Sequence, residues 1–181
     1  MIQKIDIVLL EFINNNLQNP ILDKLMPSIT YLGDMGMIWI IISIILMITK
    51  KYRKVGNLSN LALTLSTIIG EVVLKNIVLR PRPFYELTNI SLLIEKPLSY
   101  SFPSGHTGSS FAVAGVIGTL IKNYKIPVFI LAILMAFSRL YLYVHYPTDI
   151  VGGIILGLTC SYIVTYKFVK NKKSKSETSI L

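Results

Sequence analysis

Apolar runs separated by short polar joints dominate the chain, and five of them approach the ~20 residues that a membrane-crossing helix needs. They cover 34–50, 56–78, 107–122, 126–144 and 148–168. Backbone polar groups in lipid must pair within their own segment, so each run predicts a helix and together they predict an all-α, polytopic transmembrane bundle. Gly115, Gly118, Gly152, Gly153 and Gly157 lie in the last three-helix stretch, where small residues let helices approach closely. Residues 1–33 follow a different pattern. Two short apolar pieces, 5–13 and 20–32, flank NNNLQNP and carry Asp6, Glu11 and Asp23 against Lys4 and Lys24. They predict two short amphipathic helices at the outer membrane face, with a single broken spanning helix as the alternative. The expected bundle therefore has five to six spans, with short N-terminal helices over 1–33, a transmembrane domain over 34–169 and a basic tail over 170–181.

Composition supports a membrane protein: 52% of the 181 residues are hydrophobic and the mean hydropathy is +0.61, above the ~45–50% apolar content of soluble domains. A net charge of +9 raises nucleic-acid binding, but the basic residues sit at the ends of apolar runs, whereas that function needs them spread over a folded face. Segments 50–54, 122–125 and 167–175 hold four, two and five of the 18 lysines and arginines. With alternating spans these three lie on one side, which the positive-inside bias makes the cytoplasm. The 79–105 loop and the 145–149 turn are then extracytoplasmic. Cys160 is the only cysteine and lies in an apolar run, which excludes an intrachain disulfide and a cysteine-based metal site and reads as packing. Asp6 and Glu11 interrupt the N-terminal apolar stretch, unlike a cleavable signal peptide.

Three polar clusters break this background. In KNIVLRPRP (75–83), Lys75 lies at the edge of an apolar run, where an ionisable group is costly and by default functional, although it also has the reach to snorkel. Glu71 is one helical turn earlier and placed to pair with it as structural support. Arg80 and Arg82 offer guanidinium forks suited to phosphate oxygens or to lipid headgroups. In PSGH (103–106), Pro103 and Gly105 form a turn, Ser104 is a good N-cap, and the helix start supplies amides to an anion. His106 there is placed to donate a proton. In SRLYLYVHYPTD (138–149), Arg139 lies near a span end, and Asp149 follows His145 by four residues. That spacing lets the carboxylate fix the imidazole tautomer and leave the other nitrogen as a nucleophile, or makes a buried structural pair.

Alternating spans bring all three clusters to the extracytoplasmic helix ends. Two histidines and a carboxylate raise a metal site, but three cations repel a divalent ion and attract a tetrahedral anion. Lys75 with Arg82-Pro83, then PSGH, then Ser138-Arg139 with His145 and Asp149, resemble the three-part motif of the type 2 phosphatidic acid phosphatase family. The resemblance covers 34–168 and implies a metal-independent, cofactor-free phosphatase with a phosphohistidine intermediate. It implies His145 as nucleophile, Asp149 as its orienting carboxylate and His106 as general acid. Lys75, Arg82, Ser104, Gly105 and Arg139 would hold the phosphoryl oxygens.

An outer-surface site suits an amphiphile whose phosphate sits at headgroup depth. The expected substrate is a lipid phosphate or diphosphate: undecaprenyl diphosphate first, then phosphatidylglycerophosphate or phosphatidic acid. The expected partners are that lipid and the membrane, with no nucleic acid, and the expected location is the bacterial plasma membrane. Aromatic residues Phe84, Tyr85, Tyr100 and Phe102 in the 84–102 loop are placed to cover the site. A lipid phosphotransferase, a vanadate-dependent haloperoxidase and a non-catalytic lipid-binding protein are the rival readings. Oligomeric state and the role of Glu71 are left open by the sequence.

Overall fold

The computed structural model describes residues 2–86 and 91–178, all of the regular structure in them helical. Positions 87–90 of the 84–102 loop and 179–181 of the basic tail lie outside the described residues. Helix α1 spans Ile2–Leu17 and α2 spans Pro20–Leu32. The break between them is set by Asn19, whose side chain accepts from the Ile21 and Leu22 amides at 3.1 and 3.0 Å, with Pro20 at the first helical position where its missing N–H costs nothing. A short 3₁₀ turn, Asp34–Gly36, leads into α3, Met37–Ile48. Gly36 takes φ +71° there, a left-handed conformation that glycine adopts without steric cost, and the axis bends by 48° between α2 and the Asp34–Ile48 stretch.

Helix α4, Arg53–Thr67, passes through a π-helical turn, Ile68–Leu74, into α5, Lys75–Val78. Leu79 closes α5 in the left-handed region at φ 52° and returns the chain toward α6, Pro83–Glu86. The remaining helices are α7 (Gly105–Leu120), α8 (Lys125–Tyr141) and α9 (Pro147–Thr178). At the centre of the bundle stands α7, with every residue from Thr107 to Gly118 buried. The α7–α9 seam is close because Gly157 has no side chain. A Cβ there would lie 2.5 Å from the Gly108 carbonyl oxygen and 2.7 Å from the Ala112 nitrogen. Trp39 of α3 fixes the other side, donating from Nε1 to Ser110 Oγ at 2.8 Å. Outward-facing Ile41, Ile45, Ile130, Ile133, Ile155 and Ile163 remain exposed, as a lipid-facing surface requires. Cys160 is fully buried, in keeping with a packing role.

By length and apolarity, Arg53–Glu86, Lys122–Tyr141 and Pro147–Tyr166 qualify as spans, and the bent pair of α2 with Asp34–Ile48 makes a fourth. The five to six spans expected from the apolar runs are therefore not all reproduced as separate long helices. One reason is physical: α7 has 16 residues and is wrapped by its neighbours, so it need not match the lipid thickness.

Candidate active site

Seven of the eight residues singled out in the sequence, Lys75, Arg82, Ser104, Gly105, His106, Arg139 and His145, line one cavity of about 690 Å³. Asp149 stands behind His145, fully buried. The α5 end, the α7 start, the α8 end and the α8–α9 turn meet there.

His145 is 1% exposed and sits in the turn between α8 and α9. Its Nε2 lies 3.2 Å from Arg82 Nη1, and guanidinium can only donate, so Nε2 carries the lone pair. The proton is then on Nδ1, which faces Asp149 Oδ2 and Ser101 Oγ, each at 3.5 Å. Burial, reinforced by the charges of Arg82, Arg139, Lys75 and His106, holds the imidazole pKa well below its ordinary 6.5. The imidazole is thus held neutral, with its unprotonated Nε2 beside Arg82 at the cavity.

Asp149 is held from every side. Its Oδ2 accepts from the Tyr146 amide at 2.9 Å and from Ser101 Oγ, and its Oδ1 accepts from Arg80 Nη1 at 2.6 Å. Arg80 is the clearest departure from the sequence expectation. It does not line the cavity; its Nη2 donates to Asp6 Oδ2 of α1 at 2.6 Å, so it bridges two buried carboxylates. Asp6, 1% exposed, also accepts from the Thr148 amide at 3.0 Å and from Thr148 Oγ1 at 2.5 Å, satisfying a donor in the first turn of α9 that has no intrahelical partner.

Two of the three cations, Lys75 and Arg82, are held by Ser99 in the segment that precedes PSGH. Arg82 donates from Nε to the Ser99 carbonyl and from Nη1 to the Val144 carbonyl, both at 2.7 Å, and from Nη2 to Ser99 Oγ at 3.0 Å and to the Tyr100 carbonyl at 3.4 Å, with Nη1 also facing His145. Lys75 donates to Ser99 Oγ at 3.0 Å and to Glu71 Oε2 at 2.9 Å, the ion pair that the one-turn spacing anticipated. Arg139 donates through Nη1 to Thr30 Oγ1 of α2. Its Nε is buried without a hydrogen-bond partner among the described residues, and such an orphaned donor suits an anion. Ser104 caps α7, its Oγ accepting from the Thr107 amide at 3.4 Å and from Thr107 Oγ1 at 2.9 Å. Across the cavity, His106 Nε2 is 3.0 Å from Asp34 Oδ1; the carboxylate only accepts, so that nitrogen carries a proton.

Sequence reasoning passed over Asp6, Thr30, Asp34, Ser99 and Ser101. Asp6 alone had a visible signal, a carboxylate inside an apolar helical stretch. For the loop, residues 94–97 and Ser99 form a wall of the cavity, but none of the four expected aromatics does. Phe102 packs on α9 at Gly152, while Tyr85 and Tyr100 are exposed.

A model described as the PAP2 superfamily matches residues 57–173. The chain is 33% identical over 129 residues to the undecaprenyl-diphosphatase of Sulfolobus acidocaldarius, covering 70% of this chain and 61% of that protein, so it spans under two thirds of that relative's length. It is 33% identical over 162 residues to phosphatidylglycerophosphatase B of Bacillus subtilis, covering 82% of this chain and 76% of that one. The crystal structure of Aquifex aeolicus LpxE superposes with a TM-score of 0.78 at 33% identity, covering 88% of this chain and 94% of that one. The Bacillus subtilis PAP2 type phosphatidylglycerolphosphate phosphatase gives 0.74 at 26% identity, covering 93% and 86%.

Proposed function

Since the chain belongs to the PAP2 superfamily, we propose that it is an integral membrane phosphatase that hydrolyses lipid phosphates or diphosphates through a phosphohistidine. The observation that carries this is the His145 geometry: a buried imidazole whose unprotonated Nε2 faces a cation-lined cavity, with Asp149 behind it. In the first half-reaction His145 Nε2 forms the P–N bond as the P–O bond to the lipid breaks, and His106 gives its proton to the departing oxygen. In the second, water forms a P–O bond, the P–N bond breaks, and His106 takes the water proton. Asp149 supports the positive charge that the ring gains in between. Lys75, Arg82 and Arg139, with Ser104 and the Gly105 amide, hold the equatorial oxygens, which is most of what phosphoryl transfer asks of a protein.

No metal enters this scheme, because three cations already neutralise the phosphoryl charge. The favoured substrate is a polyprenyl diphosphate such as undecaprenyl diphosphate, in line with the names of the relatives; phosphatidylglycerophosphate and phosphatidic acid use the same chemistry. The distribution of basic residues supports an extracytoplasmic site in a bacterial plasma membrane, the 34–169 unit carrying the reaction and the 170–181 tail lying in the cytoplasm.

The test is phosphate release from these three lipids by the purified protein in detergent with a chelator present. Release that survives EDTA, is inhibited by vanadate and disappears in His145→Ala is expected. Appearance of the phosphate on an acceptor lipid instead would make the protein a phosphotransferase, and full activity in His145→Ala would overturn the mechanism.

A further inference from the structure

We infer that Glu71 is a built-in competitor for the phosphate cradle, a displaceable carboxylate that sets how tightly the site holds phosphate and how fast it lets phosphate go. The inference rests on the phosphatase reading above and assigns a residue which that reading leaves without a role. Glu71 lines the same cavity as Lys75, Arg82 and Arg139. One carboxylate oxygen takes a hydrogen bond from Lys75 Nζ at 2.9 Å. The other lies against the start of α7: a Cβ placed on Gly105 would be 2.1 Å from Oε1. The carboxylate thus lies between two features that should receive a phosphoryl oxygen: the Lys75 ammonium, from which it accepts, and the first turn of α7, against which it packs at Gly105 and whose amides lack intrahelical acceptors.

Local structure delivers it there. Glu71 lies in the π-helical turn Ile68–Leu74, where the Lys75 amide bonds back to Gly70 rather than to Glu71. Such turns insert an extra residue into a helix, often at functional sites. Gly105 has no side chain to hold the carboxylate off. Unlike Lys75, which is 5% exposed, the Glu71 side chain is 37% exposed, so it has room to swing away. A carboxylate and a phosphoryl oxygen are both acceptors only and repel each other; Glu71 and Ser99 already take two of the three Lys75 donors, so an oxygen on the third would lie against the carboxylate. Binding must displace Glu71, and its return expels the inorganic phosphate that hydrolysis of the phosphohistidine leaves in the cavity. An ion pair that served only to position Lys75 would act in the opposite sense, strengthening phosphate binding.

Competition and positioning therefore predict opposite outcomes for Glu71→Gln. In full-length protein in detergent, inhibition by inorganic phosphate and by orthovanadate would be measured for wild type, Glu71→Gln and Glu71→Ala, with KM and kcat on one lipid phosphate. The competitor role requires both inhibition constants to fall in both variants, by about tenfold if one charge-assisted contact is freed, with KM falling too and kcat falling where product release limits turnover. Constants that rise or stay within twofold overturn the proposal. If one variant fails to fold, the other decides the sign, and phosphate-induced thermal stabilisation gives a readout independent of turnover. Lys75→Met serves as the control for the site itself and should weaken phosphate inhibition. Wild-type protein that neither binds nor is inhibited by phosphate or vanadate would remove the phosphatase reading, and this inference with it.

Discussion

Replacing Asp6 by asparagine tests whether α1 takes part in catalysis at a distance from the cavity. The substitution keeps the shape and the acceptor toward Thr148 while removing the charge opposite Arg80. Breaking a buried ion pair from one side costs about 3–5 kcal/mol. The Arg80 side chain is 19% exposed and keeps its bond to Asp149, so roughly half of that, ~2 kcal/mol, is a reasonable stability loss. The effect on turnover has a separate origin. With Asp6 neutral, the whole Arg80 charge bears on Asp149 from 2.6 Å and opposes the positive charge that His145 acquires as its bond to phosphorus forms. A penalty of about 1.4–2.8 kcal/mol in the transition state lowers kcat about 10- to 100-fold. KM should hardly change, since neither Asp6 nor Arg80 lines the cavity. The assay is steady-state phosphate release per folded molecule, with thermal unfolding in parallel and Arg80→Met as the second arm of a double-mutant cycle. In the Arg80→Met background, Asp6→Asn should cost nothing more. A lower melting temperature with kcat within twofold of wild type would refute the reasoning and reduce Asp6 to a fastener for α1.

His106→Ala should lose far less activity on p-nitrophenyl phosphate than on a lipid phosphate, because a good leaving group hardly needs protonation; equal losses would remove the general-acid role. His145 has a folded pKa well below its ordinary 6.5, so the unfolded chain binds the extra proton first. Its contribution to stability is complete above pH 6.5 and declines as the pH falls below that value, and His145→Asn should flatten that part of a pH–stability curve. The nucleophile should also stay active below pH 6.5, so a kcat/KM profile with an acid limb centred at 6.5 that vanishes in no His106 variant would contradict its burial. In intact cells, a cysteine at Ser91 should react with an impermeant maleimide and one at Ser174 should not, in a Cys160→Ser background; reversed labelling would put the site in the cytoplasm.

Chemistry was the most legible part of this protein, and support the least. Lys75, Arg82, His106, Arg139, His145 and Asp149 could be read as one site because helical spacing and alternating spans place them without any knowledge of packing. Asp6, Thr30 and Asp34 could not, since each reaches its partner across 74, 109 and 72 positions respectively with no periodicity to announce it. Arg80 and Arg82 looked equivalent in RPRP; what separates them is a pair of carboxylates, one from α1 and one from α9, that captures the first and leaves the second to the cavity. The π-helical turn that aims Glu71 has no sequence signature, and hydropathy cannot show that α7, flanked on all sides, is excused from spanning length.

The Asp6–Thr148 contact also bears on how the protein is made. Asp6 leaves the ribosome 142 residues before Thr148, an interval of roughly 7–30 s at 5–20 residues per second. Throughout it the carboxylate lacks the α9 amide, and for the first 74 residues it also lacks Arg80, while an uncompensated charge is disfavoured in lipid. Helix α1 therefore completes its contacts only once the start of α9 has been made. Until α9 has been made, the growing chain carries Lys75, Arg82 and His106 but neither Asp149 nor the α1–α9 contact that surrounds Asp6.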